Sequence, residues 1–174
     1  MELLFPILLC LLLALAWWPW CCCVKCMHCI DGKFPQQIQV TIAGLTDPGD
    51  CPGCVALNDI YVLDWTTDTV AGGYCGNDYA GYRPAICLWV YEFPAGSPCG
   101  ATWLTVQLSE SGGNLVLYVL LTNADDRGQQ FRYAFGSGDD IDCLAINVVA
   151  PPFYALFCMS FCQSTGATAT IVAL

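Results

Sequence analysis

Positive charge is scarce in this sequence. Five Lys and Arg stand against fifteen Asp and Glu, a formal net charge of −10, so a phosphate backbone would be repelled and nucleic acid is excluded as a partner. The same deficit removes any electrostatic attraction to an anionic membrane face. Histidine is rarer still. The single one, His28, lies inside a cysteine pair, where it serves as a turn residue or a metal ligand, and no imidazole is left to act as general base for a nucleophile elsewhere. Beyond the first residues, glutamate is confined to Glu92 and Glu110, whose spacing does not demand the facing carboxylates of a glycosidase. A Gly-rich phosphate loop leading into a helix is missing, as is any sustained 3.6-residue period with caps after residue 35. These absences together point away from an enzyme. With charged residues at 11% and hydrophobic ones at 56%, a disordered chain is excluded as well.

Cysteine is what the chain has in excess. Fourteen in 174 residues approaches the density of cross-linked exported scaffolds, whereas reduced cytosolic chains carry such a load chiefly to bind metal. The first residues fit export. Leu3 to Trp20 is almost unbroken apolar sequence, and Ala14-Leu15-Ala16 offers an A-x-A cleavage site after a Leu-rich run, so residues 1–16 read as a signal peptide. The alternative is an uncleaved membrane anchor over residues 3–20, with Trp17, Trp18 and Trp20 at the interface. Residues 17–34 then form a Cys-rich segment and 35–174 a single β domain, secreted or at the cell surface. A membrane is a partner only if the leader stays.

Periodicity within 35–174 is that of strands. Gln37 to Leu45 alternates Ile38, Val40 and Ile42 against Gln37, Gln39 and Thr41. Ile60 to Trp65 is apolar on both faces and is expected to be central and buried on both sides, and Ala85 to Phe93 is again apolar on both faces. Thr102 to Glu110 and Leu115 to Thr122 flank a Ser-Gly-Gly-Asn hairpin turn. Phe131 to Phe135, Ile141 to Val149 and Ala167 to Leu174 complete about eight strands, while Tyr154 to Phe161 fits either helix or strand. The fold class predicted is all-β, an antiparallel β-sandwich or flattened barrel.

Two C-x2-C pairs, Cys26/Cys29 and Cys51/Cys54, are the sharpest chemical signal. They suit either disulfides or a structural four-cysteine zinc site, because each pair sets two thiolates on one side of a tight turn. Cofactors are otherwise expected to be none. Adjacent Cys21, Cys22 and Cys23 lie too close along the chain to pair with one another. They should reach outward, with Cys75, Cys87, Cys99, Cys143, Cys158 and Cys162 as further disulfide candidates. Cleavage after Ala16 removes Cys10 and leaves thirteen of the fourteen cysteines, an odd number that allows a disulfide-linked oligomer. A Gly- and Tyr-rich stretch from residue 66 to 84 supplies the ligand-binding candidates Tyr74, Asn77, Asp78, Tyr79 and Tyr82, which could stack on a glycan or a protein surface. Asp125, Asp126, Asp139, Asp140 and Asp142 read as solvated turn acids rather than a calcium loop.

Cys26, Cys29, Val40, Thr41, Cys51, Cys54, Leu57, Asn58, Tyr61 and Leu63 together form a pattern of C-x2-C, alternating strand, second cysteine cluster and L-N-x2-Y-x-L. Over residues 21–65 this resembles uncharacterised cysteine-rich bacterial or phage-associated β proteins, a resemblance that implies the architecture and no activity. The function expected is that of an exported, disulfide-stabilised, non-enzymatic surface, structural or binding module. The alternatives are a membrane-anchored or intracellular zinc-stabilised domain, and a carbohydrate-binding module using the Tyr74–Tyr82 stretch.

Overall fold

A computed structural model describes residues 34–48, 51–66, 87–111, 114–125, 127–136, 141–153 and 160–174. They form eight strands: β1 (Gln37–Ala43), β2 (Ile60–Thr66), β3 (Cys87–Glu92), β4 (Ala101–Ser111), β5 (Asn114–Asn123), β6 (Gly128–Ala134), β7 (Asn147–Ala150) and β8 (Thr168–Ala173). All pairings are antiparallel. β1 to β6 pair each with the next, β7 pairs with β8, and β8 returns to β1. The sheet is brought nearly to a closed barrel where β6 meets the chain just past β7. Pro151 and Pro152 have no N–H to give, so the closing bonds use what remains: Arg132 N–H donates to the Pro151 carbonyl at 3.0 Å, and Phe153 N–H to the Gln130 carbonyl at 2.8 Å. The result is a nearly closed, up-and-down barrel-like sheet, in which the edge of β6 is partly capped by the chain after β7.

Residues paired across strands share a face, and the pairing sorts inside from outside. Ile38, Val40 and Ile42 lie opposite Ala173, Ile171 and Ala169, and Ile38 and Val40 also face Leu63 and Tyr61. Continuing round, Trp89 faces Val106, which faces Val119, which faces Phe131. The circuit ends with Val148 and Ala150 against Ile171 and Ala169. Trp89, Phe131, Leu63, Leu104 and Leu121 are fully buried. Eight strands enclose just enough room for side chains, and bulky rings on β3 and β6 are balanced by alanines on β7 and β8. Gln129 also points inward, opposite Leu121. Its amide is buried without a hydrogen-bond partner among the described residues, a cost on the order of 1–3 kcal/mol.

The all-β expectation holds, but the burial pattern differs from the one expected. β2 is not buried on both faces: Ile60 and Val62 are 59% and 43% exposed, facing outward beside Thr41 and Gln39 of β1. In a sheet curled nearly into a barrel every strand turns one face outward, and β-branched side chains suit an outer sheet surface. The strands buried on both sides are β4 and β5: outward Thr105, Gln107 and Ser109 of β4 and Val116 and Leu120 of β5 are covered, as well as inward Leu104, Val106 and Leu108 and Leu117, Val119 and Leu121. The strand expected from Ile141 to Val149 shrinks to Asn147–Ala150. Its first part is a 3-10 turn, Cys143–Ala145, capped by Asp142, whose Oδ1 accepts the Leu144 N–H at 3.0 Å. No α-helix occurs among the described residues.

Candidate functional site

Four connections leave the same end of the barrel, and their described residues are 44–48 and 51–59 between β1 and β2, 93–100 between β3 and β4, 124, 125 and 127 between β5 and β6, and 151–153 and 160–167 between β7 and β8. The first is the organiser. Gly44 starts it with φ +81°, against the Gly166–Ala167 backbone, where a Cβ would lie 3.0 Å from Ala167 Cα. Thr46 and Gln163 then exchange two main-chain hydrogen bonds of 3.0 Å. Asp47 Oδ1 accepts the N–H groups of Gly53 (3.1 Å) and Val55 (3.3 Å), which shapes the Cys51-Pro52-Gly53-Cys54 bend from within, as Asx side chains do in turns. Asn58 locks the exit. Its amide accepts from Leu45 N–H at 2.8 Å and donates to the carbonyls of Leu45 (2.9 Å) and Val55 (3.0 Å).

That bend carries two cysteines, and each is bonded to a different loop. Cys51 is bridged to Cys99 with Cα atoms 5.6 Å apart, and Cys54 to Cys162 with Cα atoms 5.7 Å apart. Cys99 has φ 56°, a left-handed backbone that side chains other than glycine adopt at a cost of about 1–2 kcal/mol; the turn Ser97-Pro98-Cys99-Gly100 holds it there. Asn123 Nδ2 donates to the Cys99 carbonyl at 3.3 Å, and Arg127 Nη2 donates to the Ser160 carbonyl at 3.0 Å. The loops are thus tied in a ring around the mouth.

The two bridges also touch. Cys54 Sγ lies 3.4 Å from Cys99 Sγ, and the sulfurs of Cys51, Cys54 and Cys99 all lie within 4.8 Å of one another. Cys54 Sγ is 3.5 Å from the Phe161 carbonyl oxygen; bonded sulfurs carry no proton, so this is a contact rather than a donated bond. Cys54 and Cys162 are buried, while Cys51 and Cys99 reach the surface. Directly beneath, Tyr61 donates its hydroxyl to the Leu57 carbonyl at 3.0 Å and packs against Tyr91 and Phe93 with ring centroids 5.2 and 5.3 Å away. Burial, with smaller contributions from Asp59 and Tyr91, pushes the Tyr61 hydroxyl pKa up to about 12.

Comparison of the chain with family models, curated proteins and solved structures found no match. The site therefore has to be read from its own chemistry.

Of the residues singled out in the sequence, the structure brings together Cys51, Cys54, Cys99 and Cys162. Cys143 is disulfide-bonded too, to none of these four. Cys51 and Cys54 each pair with a cysteine of another loop. Cys26, Cys29, Cys21, Cys22, Cys23, Cys75 and Cys158 lie outside the described residues, as do Tyr74, Asn77, Asp78, Tyr79 and Tyr82 and the side chain of Cys87. Asp142 is a turn cap. Sequence reasoning did not anticipate Asp47 or Asn123, and of Asn58 the L-N of the L-N-x2-Y-x-L pattern was the trace. In the folded chain Leu57 is buried, Asn58 braces Leu45, and Tyr61 and Leu63 point into the barrel. Among the described residues no helix is long and apolar enough to cross a membrane.

Proposed function

We propose that this protein is a non-enzymatic β-barrel module of an oxidising, extracytoplasmic surrounding, serving as a structural or contact element at a surface. One observation carries the reading: Cys51–Cys99 and Cys54–Cys162 join three separate loops across the barrel mouth, and such bridges form and persist outside the reducing cell interior. The wall supports it: the inward face is taken up by the core, and the outward side chains Ile60, Val62 and Val149 of β2 and β7 are exposed and open to contact. On that wall, Val149, Thr170, Thr41 and Ile60 form one cross-strand row, and Asn147, Val172, Gln39 and Val62 the next. Both rows are uncharged in a chain of net charge −10, so a partner meets them without charge repulsion.

The test is to fractionate the native host, then alkylate the unreduced protein and map its peptides. Recovery outside the cytoplasm, with Cys51, Cys54, Cys99, Cys143 and Cys162 unmodified, is the expected result. Recovery from the cytoplasm with those thiols labelled overturns the reading.

A further inference from the structure

The two touching bridges gather three sulfurs into one cluster with a fourth bonded to one of them, and this suits a second chemical state. We infer that Cys51, Cys54, Cys99 and Cys162, when reduced, form a tetrathiolate site for a soft, tetrahedral divalent ion of the zinc class. The inference goes beyond the surface role proposed above and does not require it. Three of the sulfurs already lie within 4.8 Å of one another, and the fourth, on Cys162, is held at the cluster by its bond to Cys54. A zinc–sulfur distance of about 2.3 Å gives a tetrahedron with edges of about 3.8 Å, close to the 3.4 Å that separates Cys54 and Cys99 across the bridges. The two bonded pairs have to move apart, which breaking their S–S bonds allows, and the Cys162 thiol, outside the 4.8 Å group, has to swing toward Cys51 and Cys99.

The ligand set also has the construction such sites need. Cys51 and Cys54 sit on one tight bend that Asp47 braces through two main-chain N–H groups. Cys99 is presented by a left-handed turn tied to Asn123. Cys54 and Cys162 supply a buried floor while Cys51 and Cys99 leave access from solvent. This donor set differs from the pairing of two C-x2-C motifs expected from the sequence, because Cys26 and Cys29 take no part in it. A chain made in a reducing compartment passes through the thiol state before any bridge forms, so the metal-binding state belongs to its ordinary history.

The chemistry balances with a phosphine as reductant. Each S–S bond takes two electrons from one phosphine and two protons, giving two thiols, and the phosphine becomes its oxide with oxygen from water. Zinc then displaces one proton from each of the four thiols, so binding weakens as the medium is acidified.

The experiment uses the full native chain. It is reduced with a water-soluble phosphine, with or without one equivalent of zinc, alkylated with a maleimide and mapped by peptide mass. A parallel sample receives cobalt(II) in place of zinc. The expected result is zinc-dependent loss of labelling at Cys51, Cys54, Cys99 and Cys162 with Cys143 labelled in both arms, and the intense visible absorption of tetrahedral cobalt thiolate. Cys99→Ser should lose that absorption, whereas the Cys26→Ser/Cys29→Ser double variant should keep it. Protection of Cys26 and Cys29 with Cys51 and Cys54, equal labelling with and without zinc, or an unchanged cobalt spectrum in Cys99→Ser overturns the inference. The protection map is read on the unmutated chain, so it stands even where a variant fails to fold. An unreduced sample reports the bridges separately, which keeps a failure of the metal site distinct from a failure of the proposed function.

Discussion

The two ends of the barrel are closed by different means. At the mouth, the loops bury Leu45, Leu57, Phe93 and Phe161 and are joined in addition by two disulfides and by side chains bonded to main-chain groups. At the opposite end one large ring is central. Trp89, fully buried, donates its indole N–H to the Pro35 carbonyl at 2.9 Å and packs near Phe34. Trp65 N–H reaches the Gln36 carbonyl, and Leu174 N–H the Gln37 carbonyl. Cys143, on the 3-10 turn before β7, is disulfide-bonded as well, and aromatic packing and hydrogen bonds hold Phe34 to Gln37 on the barrel floor. The difference lies in what joins the segments: at the mouth covalent bridges tie loop to loop, and at the other end a buried ring and hydrogen bonds tie the chain before β1 to the barrel.

The largest expected effect comes from the sulfur end. Closing loops of 48 and 108 residues restricts the unfolded chain by roughly 4 kcal/mol per bridge in the chain-entropy picture. Replacing Cys51 and Cys99, or Cys54 and Cys162, by alanine should therefore lower stability by about that amount, read as a fall in the urea midpoint. A midpoint unchanged in both pairs would remove the covalent half of the contrast. Next comes Trp89→Ala, expected to cost roughly 3–5 kcal/mol as a large cavity in the core. Trp89→Phe should recover most of this and leave a residual loss of about 1 kcal/mol for the missing bond to Pro35. If Trp89→Phe were as damaging as Trp89→Ala, the hydrogen bond rather than the packing would be what closes this end.

These regions were unequally legible in the sequence. Alternation of Ile38, Val40 and Ile42, or of Leu104, Val106 and Leu108, gave the inner face directly, because a strand's period of two is a local property. Whether the sheet closed was not local. It depends on Pro151 and Phe153 meeting β6, and on Ile60 and Val62 facing out where apolar character suggested burial on both sides. Cysteine pairing was hidden for the same reason. Cys51 and Cys54 adjoin in sequence and advertise a shared role, while their partners lie 48 and 108 residues away on loops that only the strand order brings to one mouth.

A smaller effect tests how tightly the mouth is built. Gly44 holds φ +81° beside the backbone of Ala167, so Gly44→Ala meets both a left-handed conformation and a contact with main-chain atoms that have little freedom to yield. The expected loss is about 2 kcal/mol. Gly96, also left-handed at φ +84° but with open space around it, provides the comparison: Gly96→Ala should show the backbone cost alone, about 1 kcal/mol. Equal losses at the two positions would mean that the loops at the mouth give way more readily than their hydrogen bonds imply.

Tyr61 gives the finest probe, because it senses the space under the cross-linked loops through one proton. In the unfolded chain its hydroxyl titrates near pH 10; in the folded barrel burial, assisted by Asp59 and Tyr91, pushes it up to about 12. The folded state thus holds this proton more tightly than the unfolded state, and the linked stabilisation is fully present below pH 10 and is lost as pH rises toward 12. Tyr61→Phe removes the titrating group. At neutral pH it should cost on the order of 1 kcal/mol for the bond to the Leu57 carbonyl, but its stability should fall less steeply than that of the unmodified chain between pH 10 and 12. Urea unfolding of both proteins across this range, at constant ionic strength, reads the difference in slope. Parallel slopes would place Tyr61 in contact with water, and the packing of the mouth over the aromatic trio would have to be looser than the ring distances show.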